Sequence, residues 1–280
     1  MIIGAHASAA GGIIRALDRA HNIGAEAVQL FITSPRSYRI TEYSDEQIEE
    51  FNRVYKEKNF KGLFFHCIYL LNLAAPSDSL YQLSIKSLIY YLQIGDKLGA
   101  VGTIVHLGSW GVASSNVADS AIPAFSQSSL KTPVGSPSAG MSPTTFGNFN
   151  RLIAAIKIIL EMTPKSQYFI IENTAAGGGR IGANLVELEA IYKAVNDSRV
   201  KFCIDTQHLY ASGVDTSNFQ VFSNWLSEFD RRIGIDNIIC LHANDSKTEL
   251  GSKHDRHENI GDGKIGLDGF KNILSQPLLQ

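Results

Sequence analysis

Cysteine is scarce in this chain. Cys67, Cys203 and Cys240 are the three among 280 residues, and no C-x-x-C pair occurs. Cys203 and Cys240 lie inside apolar runs, where a small buried thiol is the simplest reading, and a reducing, cytoplasmic compartment fits such sparse usage. Long apolar runs are missing too, which excludes a bilayer-spanning helix and a membrane partner. The start, Met1-Ile2-Ile3-Gly4-Ala5-His6, has no basic stretch followed by a long apolar one, so a soluble, unexported protein is expected. Nor is there an excess of charge of one sign: 25 Lys and Arg face 27 Asp and Glu, a net −2. No global positive field draws this protein onto nucleic acid, so such a partner would be held by local basic groups and by metal ions. The bulk charge neither supports nor excludes a DNA substrate.

What the chain does have is alternation. Short β-branched and aromatic runs at Ile2–His6, Ala27–Ile32, Gly62–His66, Gly102–His106, Tyr168–Glu172, Val200–Asp205 and Ile238–His242 read as strands. Amphipathic stretches at Asp45–Lys58, Ser79–Leu98, Asn148–Glu161 and Asn184–Asn196 read as helices, the first opened by a capping box at Ser44 and Gln47. Near-continuous apolar strands joined by helices indicate a parallel sheet covered on its faces. Seven such units favour a closed (β/α)8, TIM-type barrel in a single domain over a doubly wound sheet. Residues 111–146 break the pattern, being rich in Ser, Pro, Gly and Thr with only Asp119 and Lys131 charged. This insertion after the fourth strand is expected to be a flexible loop without a role of its own.

The strand ends carry the chemistry. Five apolar runs finish in His66, His106, Glu172, Asp205 and His242. All strands of a parallel barrel open on one face, so these residues should meet in one bowl. A lone histidine after an apolar run is usually structural, but five such ends together are the imidazole and carboxylate set of catalytic zinc and manganese sites. His208 follows Asp205 by one helical turn, and Asp255-Arg256-His257 adds a carboxylate and an imidazole in a polar loop. His21 reads as surface, His254 has no strand to place it, and His6 reads as a group that orients its neighbours.

Taken together, Gly4-Ala5-His6-Ala7-Ser8-Ala9-Ala10-Gly11-Gly12, Ile171-Glu172-Asn173-Thr174-Ala175 and Cys203-Ile204-Asp205-Thr206-Gln207-His208 resemble the endonuclease IV family. So does His242-Ala243-Asn244-Asp245-Ser246-Lys247 with its continuation through Asp255-Arg256-His257 to Gly261-Asp262-Gly263. The resemblance spans essentially the whole chain outside the insertion. It implies a zinc-dependent apurinic/apyrimidinic (AP) endonuclease of base-excision repair, acting as a monomer on duplex DNA that contains abasic sites. By resemblance, His66 and His106 hold a first zinc and Glu172, the catalytic centre of the set, bridges it to a second. Asp205 and His242 belong to that second ion, and His208, Asp255 and His257 hold a third, with manganese acceptable at one or more positions. The implied cut is 5′ to the abasic sugar, leaving a 3′-hydroxyl and a 5′-deoxyribose phosphate. Arg36 and Tyr69 match the family's lesion-reading loops and become the DNA-contacting candidates.

One part of the pattern is missing. The resemblance implies an eighth strand whose glutamate completes the second ion's ligands, yet no acidic residue follows Asp268. Pro277-Leu278-Leu279 reads as the beginning of that strand, so the expectation is an incomplete last strand in a fragment or truncated product. Two other functions stay open: a metal-dependent sugar isomerase or epimerase on a related barrel, and a lesion-binding protein inactivated by truncation. The Asp255-Arg256-His257 cluster favours the nuclease, because a third metal suits phosphodiester chemistry better than proton transfer.

Overall fold

The structure, a computed structural model, describes residues 1–110 and 143–279. Seven parallel strands run side by side in chain order: β1 (Gly4–His6), β2 (Ala27–Leu30), β3 (Gly62–His66), β4 (Gly102–Val105), β5 (Tyr168–Glu172), β6 (Val200–Asp205) and β7 (Ile238–His242). Helices α1 (Ile13–Asn22), α2 (Asp45–Glu57), α3 (Asp78–Lys97), α4 (Pro143–Glu161), α5 (Leu185–Val195), α6 (Thr206–Ser212), α7 (Phe219–Arg232) and α8 (Gly266–Leu274) follow their strands. This is the strand order of a TIM-type barrel. The strands are short because each spans only the sheet; the helices are long enough to cover it.

Successive side chains on a strand point to opposite faces, and the packing follows that period. Phe65, Val105, Phe169, Ile171, Phe202 and Ile204 join the large core between strands and helices. Ile104, Ile170 and Cys203 instead form a second, inner cluster, with Phe64, Tyr168, Ile239 and Cys240 packed against it. The next inward-facing positions are two residues further on. From Phe64, Ile104, Ile170, Cys203 and Cys240 they are His66, His106, Glu172, Asp205 and His242. An apolar plug thus sits directly beneath a polar layer.

Local chemistry fixes the helix starts. Ser44 Oγ accepts from the Gln47 amide while Gln47 Oε1 accepts from the Ser44 amide, which is the reciprocal cap expected for α2. α6 follows β6 without a loop, because the Asp205 carboxylate accepts the His208 amide at 2.9 Å and caps the helix from the strand's last residue. A two-stranded antiparallel hairpin, β8 (Asp245–Ser246) with β9 (His257–Glu258), lies beyond β7.

Two expectations are corrected. The expected insertion at 111–146 lies outside the described residues over 111–142, but its last four residues already belong to α4, which begins at Pro143, earlier than expected. Pro277–Leu279 is a 3-10 turn, not the start of a strand. Pro277 has no N–H to give a sheet, and the Leu279 amide turns back to the Gln276 carbonyl. Gln276, buried, donates its side-chain amide to the Phe219 and Asn272 carbonyls and ties the turn to α7 and α8. Among the described residues no helix is long and apolar enough to cross a membrane.

Candidate metal centre

Glu172 is the hub of the polar layer. It is 2% exposed and meets four imidazoles: His66 Nε2 at 3.1 Å and His106 Nε2 at 3.3 Å on Oε2, and His242 Nδ1 at 2.8 Å and His208 Nδ1 at 3.6 Å on Oε1. Asp205, fully buried, adds Oδ2 at 3.9 Å from His242 Nδ1. The second cluster therefore shares Glu172 with the first.

Three of the rings are aimed by their other nitrogen. His66 Nδ1–H donates to the Cys67 carbonyl at 2.8 Å, which frees Nε2 for Glu172. His208 Nδ1–H donates to the Asn173 carbonyl at 2.9 Å and turns Nε2 outward. His242 Nε2–H donates to Gln29 Oε1 at 2.8 Å, and the Gln29 amide nitrogen faces His6 Nδ1 at 3.0 Å. Asp205 Oδ2 accepts from the Asn244 side-chain amide at 2.7 Å. His106 Nδ1 is buried with no hydrogen-bond partner among the described residues.

A third cluster leans on the loops. His208 Nε2 lies 3.4 Å from Asp255 Oδ1 and 3.4 Å from His257 Nε2, and the latter two are 3.3 Å apart. Asp205 borders this group as well, with Oδ2 3.8 Å from His257 Nε2. The hairpin brings His257 in, and Asp245 holds the hairpin. Its buried carboxylate accepts five backbone amides, from Ser246, Gly261, Gly263, Ile265 and Gly266, at 2.7–3.2 Å. Gly263 must be glycine for this, since a Cβ there would stand 2.4 Å from Asp245 Oδ1.

The charges match a cation site. Burial opposes ionisation of Glu172, but His242 and His106 overrule it and hold the carboxyl well below its usual range. Burial likewise opposes a charged His242, yet Glu172 raises it to about 10, and Asp205 and Asp255 raise His208 to about 9 against the same penalty. The His208 contact draws Asp255 down to about 2, whereas burial pushes His106 down to about 4. Anionic carboxylates thus sit among rings whose protons stand where a cation could. Ligand separations also fit. A tetrahedral ion with bonds of about 2.0 Å to nitrogen and oxygen needs donors about 3.3 Å apart. Glu172 stands 3.1 and 3.3 Å from the two histidines of the first cluster, and the three donors of the third stand 3.3–3.4 Å apart.

The xylose isomerase-like TIM-barrel model of the AP endonuclease 2 family matches residues 17–278. The curated "Probable endonuclease 4" of Halothermothrix orenii is 34% identical, over all of this chain and 90% of that protein. The protein of the same name from Aquifex aeolicus is 33% identical over 98% of this chain and 86% of its own length. The chain belongs to the endonuclease IV family. The crystal structure of endonuclease IV from Thermus thermophilus superposes with a TM-score of 0.77 at 28% identity, covering 98% of this chain and 87% of that one. A D-tagatose 3-epimerase-like protein shares the fold alone, with a TM-score of 0.65 at 16% identity over 97% of this chain and 84% of that one.

For this endonuclease IV family member, the two candidate DNA contacts lie beside the bowl. Tyr69 is 57% exposed, its ring resting on Phe31 at 5.3 Å and His66 at 5.6 Å, while its amide donates to the Pro35 carbonyl. That bond ties the Tyr69 loop to the loop carrying Arg36. His21 and His254 stand apart from the ligand clusters. Sequence reasoning missed Gln29, Asn173, Asn244 and Asp245. Gln29 left a signal, a polar residue facing inward on a four-residue apolar strand; Asn173, Asn244 and Asp245 stand inside the motifs that carry the resemblance, but no role was read for them there.

Proposed function

We propose that this chain is a zinc-dependent AP endonuclease of base-excision repair. It hydrolyses the phosphodiester 5′ to an abasic site in duplex DNA and leaves a 3′-hydroxyl and a 5′-deoxyribose phosphate. The observation that carries the reading is the set of three adjacent donor clusters joined through Glu172 and Asp205, in a chain whose relatives are named endonuclease 4. His66, His106 and Glu172 hold one ion, Glu172, Asp205 and His242 a second, and His208, Asp255 and His257 a third. The donor set accepts zinc, and manganese at one or more positions. Bound there, the ions supply Lewis-acid charge for the phosphodiester's oxygens and a nucleophile near neutral pH.

The protein's own part is placement. Glu172 keeps its negative charge in a buried layer and fixes the spacing of the first two clusters. Gln29 and the Asn173 carbonyl hold His242 and His208 in one ring orientation, so little reorganisation accompanies the reaction. Tyr69, propped on Phe31, and Arg36 enter the space left by the flipped abasic nucleotide, which costs less to extrude because its base stacking is already lost. The enzyme acts as a cytoplasmic monomer, with residues 1–280 forming one catalytic domain.

The test uses zinc-loaded protein and a duplex carrying one tetrahydrofuran abasic analogue. The expected product is a single cut with a 3′ end that a polymerase extends. Binding without incision at saturating zinc would replace the enzyme with a lesion-binding protein. Neither binding nor incision, with turnover of a ketose, would favour the epimerase reading.

A further inference from the structure

Beneath the polar layer lies a second donor group that the proposed reaction does not use. The sulfurs of Cys203 and Cys240 and a ring nitrogen of His242 lie within 4.8 Å of one another. Their meeting depends on an irregularity in the sheet. The register between β6 and β7 slips after Phe202: Phe202 pairs with Ile238, but Cys203 pairs with Cys240 and Asp205 with His242. Ile239 is the extra residue, and a bulge of this kind re-aims the side chains that follow it. In an unbroken register Cys203 would face Ile239, and Cys240 would be opposite Ile204, which points to the outer core. Cys203 faces inward by the alternation of its own strand, and the bulge brings the Cys240 sulfur round beside it.

The surroundings select the kind of ligand. Cys203 is fully buried, and the inner cluster around the pair consists of Ile104, Ile170, Phe64, Tyr168 and Ile239. Two sulfurs and an imidazole in an apolar setting are a soft donor set, matched to thiophilic cations and poorly matched to magnesium or calcium. Sulfur donors around a zinc-sized ion stand about 3.8 Å apart, inside the 4.8 Å that bounds this group.

We infer that Cys203, Cys240 and His242 form a further cation site, selective for thiophilic ions of the cadmium and copper(I) class. It lies under the carboxylate clusters and shares His242 with them. Each thiol releases its proton to solvent as its sulfur takes the cation, and no electrons are exchanged. An ion held there takes His242 away from Glu172 and Asp205, so occupancy of one site weakens the other. The site follows from the sulfur geometry and does not require the nuclease reading.

The test is direct titration of the metal-free protein with cadmium-113. The expected result is a nuclear resonance in the sulfur-ligated range, with thiolate-to-cadmium charge-transfer absorption in the ultraviolet. Cys203→Ala and Cys240→Ala should each abolish both signals, and Cys240→Ser, which keeps the side-chain volume, should do the same with unchanged circular dichroism. His242→Ala should weaken cadmium binding about tenfold or more, and Cys67→Ala should leave the signals intact. A wild-type protein that shows only oxygen- and nitrogen-ligated cadmium, or a sulfur signal that survives Cys240→Ser, overturns the site. Neither readout involves DNA, so its failure is separate from any failure to incise.

Discussion

Glu172 and Asp255 are both carboxylates of the same bowl, but they are held in different ways. Glu172 ends a central strand, is nearly inaccessible, and takes its position from the sheet. The Asp255 side chain is 39% exposed and belongs to a loop whose course depends on the β8–β9 hairpin and on Asp245 beneath it. The strand-borne half of the centre is therefore preorganised by the fold. The loop-borne half is organised by one buried carboxylate that touches none of the ligands. Rigidity at such a site comes from whatever supplies the backbone, and here two devices divide the work.

The largest effect separating the halves should come from Glu172→Gln. It removes the charge shared by two clusters and should lower single-turnover incision by about a thousandfold or more. Near-normal cutting in that variant would end the bridging role. Next is Asp245→Ala, which strips the acceptor from five amides and should cost about 3 kcal/mol in urea unfolding. It should also lose the ion of the third cluster, by metal analysis, while the first cluster keeps its own. Loss of all ions together would erase the distinction between the halves.

The same residue gives a pH signature. Burial would raise the Asp245 carboxyl, but the amides of Ser246, Gly261, Ile265 and Gly263 outweigh it and hold it below the ordinary value. A depressed folded-state value means stability that is present above the unfolded carboxylate range near pH ~4 and lost as pH falls through the folded value. Asp245→Asn should flatten that acid limb, and an unchanged limb would remove Asp245 from the account. Gln29→Leu should be milder, lowering affinity for the ion at His242 by about tenfold to a hundredfold with the fold intact. Smallest is Tyr69→Ala, which should weaken binding to abasic duplex about tenfold or less and leave metal content unchanged.

Much of the strand-borne half was readable in advance. Gly62–His66, Tyr168–Glu172, Val200–Asp205 and Ile238–His242 appear with the expected bounds, because an apolar run ending in a ligand-type residue carries both its period and its terminus. Helices α1, α7 and α8 were not singled out in the sequence, although Ile13, Ala16, Leu17 and Ala20 in α1 show the helical spacing in their burial. Asp245 could not be read as a staple, since amides from a glycine-rich stretch leave no side-chain pattern. The Pro277–Leu279 turn was misread because three residues carry too little periodicity to separate strand from turn. The slip at Ile239 was invisible for another reason: hydrogen-bond register is a relation between two strands, and neither sequence contains it alone.

That slip also sets what the scaffold tolerates. Deleting Ile239 would leave the chain one residue shorter and β7 more regular, with its apolar character intact. The ladder that remained would still set Cys240 opposite Cys203 and His242 opposite Asp205, so both side chains would keep their inward faces. What would blind the barrel is a continuous register with Ile239 retained, since Leu241 would then stand opposite Asp205 and His242 would leave the bowl; the extra residue is harmless only while the slip absorbs it.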